Sequence, residues 1–290
     1  MYRFRTDQKT FEIAGVKVGG QPGEVPTVLV GSMFYSRHRI VTDEKKGIFD
    51  TDAAETLIHR QAELGEITGN PALIDIISSS PEAVIRYVDF VAGITDRPFL
   101  IDSASPAVKI AAIDYAKETG LEERVIYNSV SVETKEDEFA ALKRNGIEAG
   151  ILLTYTKDIM RSSARDELVE ILAPQMEDAG VTKILVDTFV MDVPCLTPSN
   201  KATLEIKSRT GLPCGTAAHN AISTWRGLKT MLGKEAVKAA DLTASLMPVF
   251  AGADFVLYGP VEGCESVFPA VFTVNTSYRY AARMKETIEV

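Results

Sequence analysis

Eight short apolar runs recur along the chain and alternate with segments of helical periodicity. The runs are rich in Val, Ile and Leu and lack the polar–apolar alternation of a half-exposed strand, which is typical of parallel strands covered on both faces. Eight strands alternating with helices predict an α/β chain that closes into a (β/α)8 TIM barrel. The predicted strands are residues 27–34, 72–77, 98–103, 125–129, 149–155, 183–190, 212–216 and 254–258.

Local signals place the helices between these strands. Ser80-Pro81 and Ser105-Pro106 each combine an N-cap residue with proline at the first helical position. Gly146 and Gly180 mark helix ends. An open doubly wound sheet is the alternative, but no G-x-G-x-x-G follows the first strand.

Composition shows no break that would divide the chain, so we expect a single domain over residues 1–290. Before the first strand, residues 10–20 alternate around Gly15 and predict a short β-hairpin. We expect residues 1–24 to form this hairpin as a lid over one end of the barrel.

Charge and composition exclude several classes of function. A net charge of −9 and a pI near 5.0 argue against nucleic acid as a partner. No apolar run approaches the roughly 20 residues of a membrane span, and the polar first residues do not resemble a signal peptide. Three scattered cysteines fit a cytoplasmic protein without disulfides, and the spacing of the histidines predicts no protein-bound metal.

Polar residues stand at the carboxyl ends of four predicted strands. They are Asp102, Asn128, Asp187 and the pair His219-Asn220. A buried polar group without a partner costs roughly 1–3 kcal/mol, and in barrels of this type these strand ends surround one mouth. The pattern predicts a shared polar ligand, and two carboxylates with an amide suit a flat heterocycle bearing several N–H donors.

Each of these residues also has a structural interpretation. Asp102 and Asn220 could cap the helices that follow them, Asn128 could stabilise a turn, and His219 could be a core histidine. Their joint occurrence favours a binding site over these separate roles. A phosphate-binding barrel that uses residues 258–263 remains an alternative.

Two of the strand ends resemble a known signature. Residues 100–103 (Leu-Ile-Asp-Ser) and 127–131 (Tyr-Asn-Ser-Val-Ser) are similar to the third and fourth strands of cobalamin-dependent methyltransferases. A longer resemblance, to the H subunit of tetrahydromethanopterin S-methyltransferase and its bacterial tetrahydrofolate-dependent homologues, covers nearly the whole chain. It is carried by residues 11–16, 19–24, 33–38, 47–50 and 257–260.

The resemblance implies a pterin-binding barrel that moves a methyl group between N5 of a reduced pterin and the cobalt of a corrinoid. The corrinoid (cobalamin) would be carried by a partner protein, and the chain would form a homodimer. Carried over by position, the substrate-binding residues would be Asp102, Asn128, Ser129, Asp187, His219 and Asn220. Asp102 and Asn128 would hold the pyrimidine edge, and Asp187 and Asn220 would be the catalytic residues on the N5 side.

Several interpretations stay open within this resemblance. The acidic, cysteine-poor chain favours tetrahydrofolate over tetrahydromethanopterin as the substrate. A tetrahydromethanopterin-specific enzyme and a non-catalytic pterin-binding subunit are the alternatives. A dihydropteroate synthase is disfavoured, because residues 215–220 (Gly-Thr-Ala-Ala-His-Asn) differ from that family's Ser-Arg-Lys pattern on the seventh strand.

Overall fold

The computed structural model describes residues 2–290 and confirms the predicted barrel, in which eight parallel strands close on themselves with helices outside. The strands are β1 (Tyr2–Arg3), β2 (Thr10–Ile13), β3 (Val16–Gly19), β4 (Val28–Met33), β5 (Val41–Asp43), β6 (Ile48–Phe49), β7 (Ala72–Ile77), β8 (Phe99–Asp102), β9 (Val125–Val130), β10 (Ala149–Leu153), β11 (Lys183–Asp187), β12 (Cys214–Thr216), β13 (Phe255–Pro260) and β14 (Ile288–Glu289). The helices are α1 (Thr51–Thr68), α2 (Pro81–Ile94), α3 (Pro106–Glu118), α4 (Glu136–Asn145), α5 (Ser162–Asp178), α6 (Leu196–Thr210), α7 (Asn220–Ser223), α8 (Leu228–Leu232), α9 (Lys234–Phe250) and α10 (Cys264–Arg283).

The barrel runs in the order β4-β7-β8-β9-β10-β11-β12-β13 and closes from β13 to β4. Neighbouring strands are parallel throughout, so their carboxyl ends form one mouth. Small two-stranded sheets, β2-β3, β5-β6 and β1-β14, lie outside the barrel. Within residues 2–290 no helix has both the length and the apolarity that a membrane crossing requires.

Alternate residues of the barrel strands point inward and fill the interior with apolar side chains. The predicted hairpin forms as β2 and β3, with Ala14 and Gly15 at positive φ in its turn. Its buried residues Ile13, Val16 and Val18 pack against Val28 and other inward residues near the amino ends of the barrel strands. The hairpin therefore closes the barrel at the end opposite the mouth.

A buried ion pair fastens this closed end. Lys207 of α6 donates from Nζ to Asp254, which precedes β13, and also to the carbonyl of Gly20, which follows the hairpin. Asp254 accepts a second hydrogen bond from the Cys214 amide at 2.8 Å. The base of the barrel is thus held by charge and by hydrogen bonds as well as by apolar packing.

Strand boundaries differ from the sequence-based prediction in a few places. The predicted strand 183–190 ends at Asp187, because the backbone leaves the extended conformation at Phe189, where φ is 52°. The predicted strand 212–216 begins only at Cys214. The β5-β6 hairpin and the β1-β14 pair were not predicted, because strands of two or three residues carry too little periodicity.

Candidate active site

A polar layer lies inside the barrel directly above its apolar filling. It forms because each member stands two residues after an inward-facing apolar side chain of the same strand. On β8, Asp102 stands two residues after the inward-facing Leu100. The same spacing separates Asn128 from Ile126. It also separates Asp187 from Leu185. The members of the layer are Ser32, Asp75, Asp102, Asn128 and Asp187, from strands β4, β7, β8, β9 and β11.

Asp75 is the member that the sequence pattern did not predict, and it anchors one side of the layer. Its carboxylate accepts from Ser32 Oγ at 3.0 Å and from Asn128 Nδ2 at 3.2 Å. The bond to Asn128 spans the intervening strand β8 on the barrel's inner face. Burial raises the pKa of Asp75 to about 6, although both hydrogen bonds oppose the shift. A lone acidic residue inside the apolar run 72–77 was the available signal.

Asp102 lies between these partners, yet its carboxylate makes no hydrogen bond to any group among residues 2–290. Its backbone pairs in register with Ile77 on one side and Asn128 on the other. Burial and the charges of Asp75 and Asp187 raise its pKa well above the usual value, while Lys109 opposes them. An inward carboxylate without a partner is a ready acceptor for ligand N–H groups.

A cavity of about 420 Å³ opens beside Asp102 at the mouth. This volume is within the range of small-molecule sites. Phe34 and Tyr87 form a stacked pair in its wall, with ring centroids 4.1 Å apart. The buried Tyr87 hydroxyl has no hydrogen-bond partner among the described residues. The other lining residues are Ser36, Glu44, Ile77, Ser78, Ser79, Ser103, Ala104 and Ser105.

Asp187 faces the layer from the other side of the barrel. Its Oδ1 accepts a hydrogen bond of 2.7 Å from the Phe189 amide. The backbone of Phe189 itself has a positive φ of 52°. Burial raises the pKa of Asp187 to about 6, against the effect of that amide. Asp75, Asp102 and Asp187 all have raised pKa values, so the layer can hold a proton near neutral pH.

The raised pKa of Asp187 predicts a pH-dependent stability. Because its folded pKa exceeds its unfolded one, its stabilising contribution is complete below the unfolded pKa and is lost as pH rises through about 6. Asp187→Asn removes this dependence while keeping an acceptor for the Phe189 amide. Relative to wild type, the free energy of unfolding of the variant should therefore rise by roughly 2–3 kcal/mol between about pH 4 and pH 8.

Urea unfolding at several pH values measures this difference. Asp89→Asn is the matched control, because Asp89 is exposed on α2 and accepts only from the Tyr115 hydroxyl. A wild-type-minus-variant difference that stays constant over the pH range would contradict the prediction.

The structure places His219 and Asn220 just beyond β12, where each side chain is bonded to a backbone carbonyl of a neighbouring segment. His219 Nδ1 lies 3.0 Å from the Leu257 carbonyl, so Nδ1 carries the proton; burial lowers its pKa and Nε2 is left as an acceptor. Asn220 donates to the Val190 carbonyl at 3.3 Å. Neither hydrogen-bonds to the polar layer, and their role in ligand binding stays a prediction.

Ser129 follows Asn128 on β9, one residue before the strand ends. Its carbonyl accepts from Lys109 Nζ at 3.1 Å, and the Asn128–Ser129 peptide bond is cis. The role of Ser129 in ligand binding stays a prediction. Among residues 2–290, no group of three or more His, Cys, Asp or Glu side chains is arranged to hold a metal ion.

Solved structures with similar architecture include dihydropteroate synthases. One from Yersinia pestis, solved with a pterine–sulfa conjugate, has a TM-score of 0.64 at 14% identity and covers 93% of this chain and 98% of its own. One from Coxiella burnetii, solved with pteroic acid, has a TM-score of 0.62 at 12% identity and covers 95% and 100%. At such low identity the likeness shows the shared barrel fold alone.

Sequence relatives are closer. The H subunit of tetrahydromethanopterin S-methyltransferase from Methanothermobacter marburgensis is 41% identical over 296 residues, covering 98% of this chain and 95% of that protein. The H subunit of a putative mtx methyltransferase from Methanosarcina mazei is 38% identical over 286 residues, covering 93% and 90%. Residues 6–290 match the family described as tetrahydromethanopterin S-methyltransferase MtrH subunit. The chain therefore belongs to the MtrH family of methyltransferase subunits, as its sequence motifs predicted.

Proposed function

We propose that this methyltransferase moves a methyl group between N5 of a reduced pterin, of the tetrahydromethanopterin type, and a corrinoid carried by a separate protein. The observation that carries the proposal is the inward carboxylate of Asp102, which has no hydrogen-bond partner among residues 2–290 and borders the mouth cavity. Such an acceptor matches the N–H-rich edge of a pterin. The carboxylates Asp75 and Asp187 and the amide of Asn128 complete a surface for a ring of that kind.

The ring fits this surface by its donors and acceptors. A 2-amino-4-oxo pyrimidine edge presents adjacent N–H donors, which one carboxylate can accept as a pair, and Asp102 is the free acceptor. Asn128 gives one N–H to Asp75 and keeps Oδ1 and its second N–H for the neighbouring ring atoms. These contacts would fix the orientation of N5 with respect to the open mouth.

Asp187 is the proposed proton donor on the N5 side. An uncharged tertiary amine is a poor leaving group, so a proton delivered to N5 as its bond to the methyl group breaks would lower the barrier. General acid help of this kind is typically worth about 10²–10⁴-fold. A pKa of about 6 leaves Asp187 able to hold and to release a proton near neutral pH. In the reverse direction, the same pocket orients the N5 lone pair.

The corrinoid would supply the metal centre that accepts or donates the methyl group. In this proposal the partner's cofactor approaches the mouth from outside, and this chain's residues act on the pterin alone. The relatives are subunits of a methyltransferase, which supports partner subunits. A homodimer is a further prediction from the family resemblance, and light scattering of the purified chain tests it.

The choice of pterin follows the relatives rather than the composition. Composition favoured tetrahydrofolate, but the matching family and several relatives of about 40% identity are named for tetrahydromethanopterin. We therefore propose tetrahydromethanopterin, the alternative left open by the sequence, as the substrate.

Thermal unfolding with each methyl-pterin tests the proposal, because a ligand that binds the native state stabilises it. We expect a larger rise in Tm with methyl-tetrahydromethanopterin than with methyl-tetrahydrofolate at equal concentration. Methyl transfer to free reduced cobalamin, followed spectroscopically, then tests the chemistry. Binding without transfer would support a pterin-binding subunit that requires its partner. The absence of binding by both pterins would refute the proposal.

A further inference from the structure

A buried ion pair lies directly behind the polar layer. Lys109 of α3 and Glu138 of α4 form it, with Nζ and Oε1 2.8 Å apart, and both side chains are almost fully buried. Glu138 also accepts from the Tyr127 hydroxyl of β9. Lys109 Nζ lies 4.6 Å from the centroid of the Tyr127 ring. Side chains from three elements thus enclose one ammonium and one carboxylate.

Stability alone does not explain this pair. Removing two charges from water can cost more than a buried pair returns, and well-packed apolar residues in its place are often equally stabilising or better. The surroundings are apolar enough for such a replacement, since Ala141 and Leu142 of α4 belong to the barrel's outer core. A role in the neighbouring site would account for its presence.

The position of Lys109 connects it with two residues of the site. Its ammonium donates to the Ser129 carbonyl at 3.1 Å, which holds the end of β9 immediately after Asn128. Asn128 is the register partner of Asp102 on β8. Lys109 is also the cation whose charge acts on Asp102, against burial and the charges of Asp75 and Asp187.

We propose that Lys109 is a positioning residue of the pterin site, which fixes the end of β9 and supplies the positive charge that lets Asp102 bind the ring as a carboxylate. The inference rests on the proposed function. Glu138 holds the ammonium in place through the ion pair, and the Tyr127 hydroxyl in turn fixes Glu138. The geometry required for ring binding would then depend on a cation that never touches the substrate.

Other charged groups around the cavity also have to be considered for the ionisation of Asp102. Asp75 and Asp187 face Asp102 from β7 and β11, and Glu44 lies across the cavity that Asp102 borders. The negative charges of Asp75 and Asp187 make ionisation of Asp102 harder. Lys109 faces Glu138 and Tyr127, and its ammonium is the opposing charge at this site.

The test is the pH dependence of the Kd for methyl-tetrahydromethanopterin, measured on the full chain by titration calorimetry. Wild-type affinity should fall as Asp102 is protonated. In Lys109→Met/Glu138→Gln, which removes both charges and leaves no unpaired ion, the midpoint of this fall should move up by about one pH unit. That corresponds to about tenfold weaker binding below the midpoint, in addition to a loss that is equal at every pH because the Ser129 carbonyl has lost its donor.

Three further variants separate charge from packing. Lys109→Arg should keep the wild-type midpoint, because the cation remains. Glu138→Gln should move the midpoint down, because the Lys109 ammonium loses its anionic partner. This variant also tests the inference if the double variant does not fold. In an Asp102→Asn background, the double substitution should no longer shift the profile.

The possible failures are distinguishable. If the wild type binds the pterin and the midpoint in Lys109→Met/Glu138→Gln does not move, this inference alone is overturned. An upward or absent shift in Glu138→Gln also overturns it. A wild type that binds the pterin at no pH overturns the proposed function together with the inference.

Discussion

Asp102→Asn is expected to weaken pterin binding about 100-fold or more, because charge-assisted hydrogen bonds are lost and ring donors are left facing an amide N–H. The same change should leave the fold intact. Burial and like charges oppose ionisation of Asp102 in the free protein, so the neutral asparagine should raise the free energy of unfolding at neutral pH. If the substitution weakens binding and raises stability, Asp102 binds the ligand but lowers the stability of the free protein.

Titration calorimetry and urea unfolding at pH 7 measure the two effects. Asp89→Asn makes the same chemical change on the exposed surface of α2 and should alter neither binding nor stability appreciably. If Asp102→Asn binds the pterin with wild-type affinity, the ring does not use this carboxylate. The proposed pterin site at the mouth would then be wrong.

Lys207→Met is expected to have the largest effect on stability. Lys207 is fully buried at the closed end of the barrel, where it bonds Asp254 and the Gly20 carbonyl. Removing one member of a buried pair leaves the other charge without compensation, at a cost of about 3–5 kcal/mol. Chemical denaturation should show this loss as a lower midpoint. Pterin affinity of the folded fraction should be unchanged, because the pair lies at the far end from the mouth.

Lys201→Met is the matched control on the same helix, since Lys201 is 65% exposed and pairs only with Glu205. An exposed pair of this kind contributes about 0–1 kcal/mol. Lys207→Met/Asp254→Asn should recover part of the lost stability, because no unpaired charge remains. Equal stability losses in Lys207→Met and Lys201→Met would show that the buried pair does not hold the base.

The barrel could be predicted because its determinants are local. Parallel strands buried on both faces need continuous apolar runs, and Ser-Pro and Gly signals mark the helices between them, so all eight barrel strands were found. Their exact ends depend on tertiary contacts. The run 183–190 stays apolar beyond Asp187, and only the turn at Phe189, with its amide bonded to the Asp187 carboxylate, ends the strand.

The site was predictable where a polar residue ends an apolar run, as at Asp102, Asn128 and Asp187. Asp75 was missed because it lies inside its run, and only the register of β7 against β4 brings it level with Ser32. Lys109 and Glu138 were missed because helical charged residues normally face solvent. Their meeting depends on how α3 and α4 pack against β9, which one sequence does not reveal.

The β1-β14 pair has a consequence for how the protein is made. Tyr2 lies beside Ile288 and Arg3 beside Glu289, and the Arg5 amide donates to the Val290 carbonyl at 3.0 Å. A chain emerging from the ribosome cannot form this sheet until residue 289 has been synthesised. Residues 2 and 3 must therefore wait, after their own synthesis, until residues 288 and 289 have been added before this junction can form.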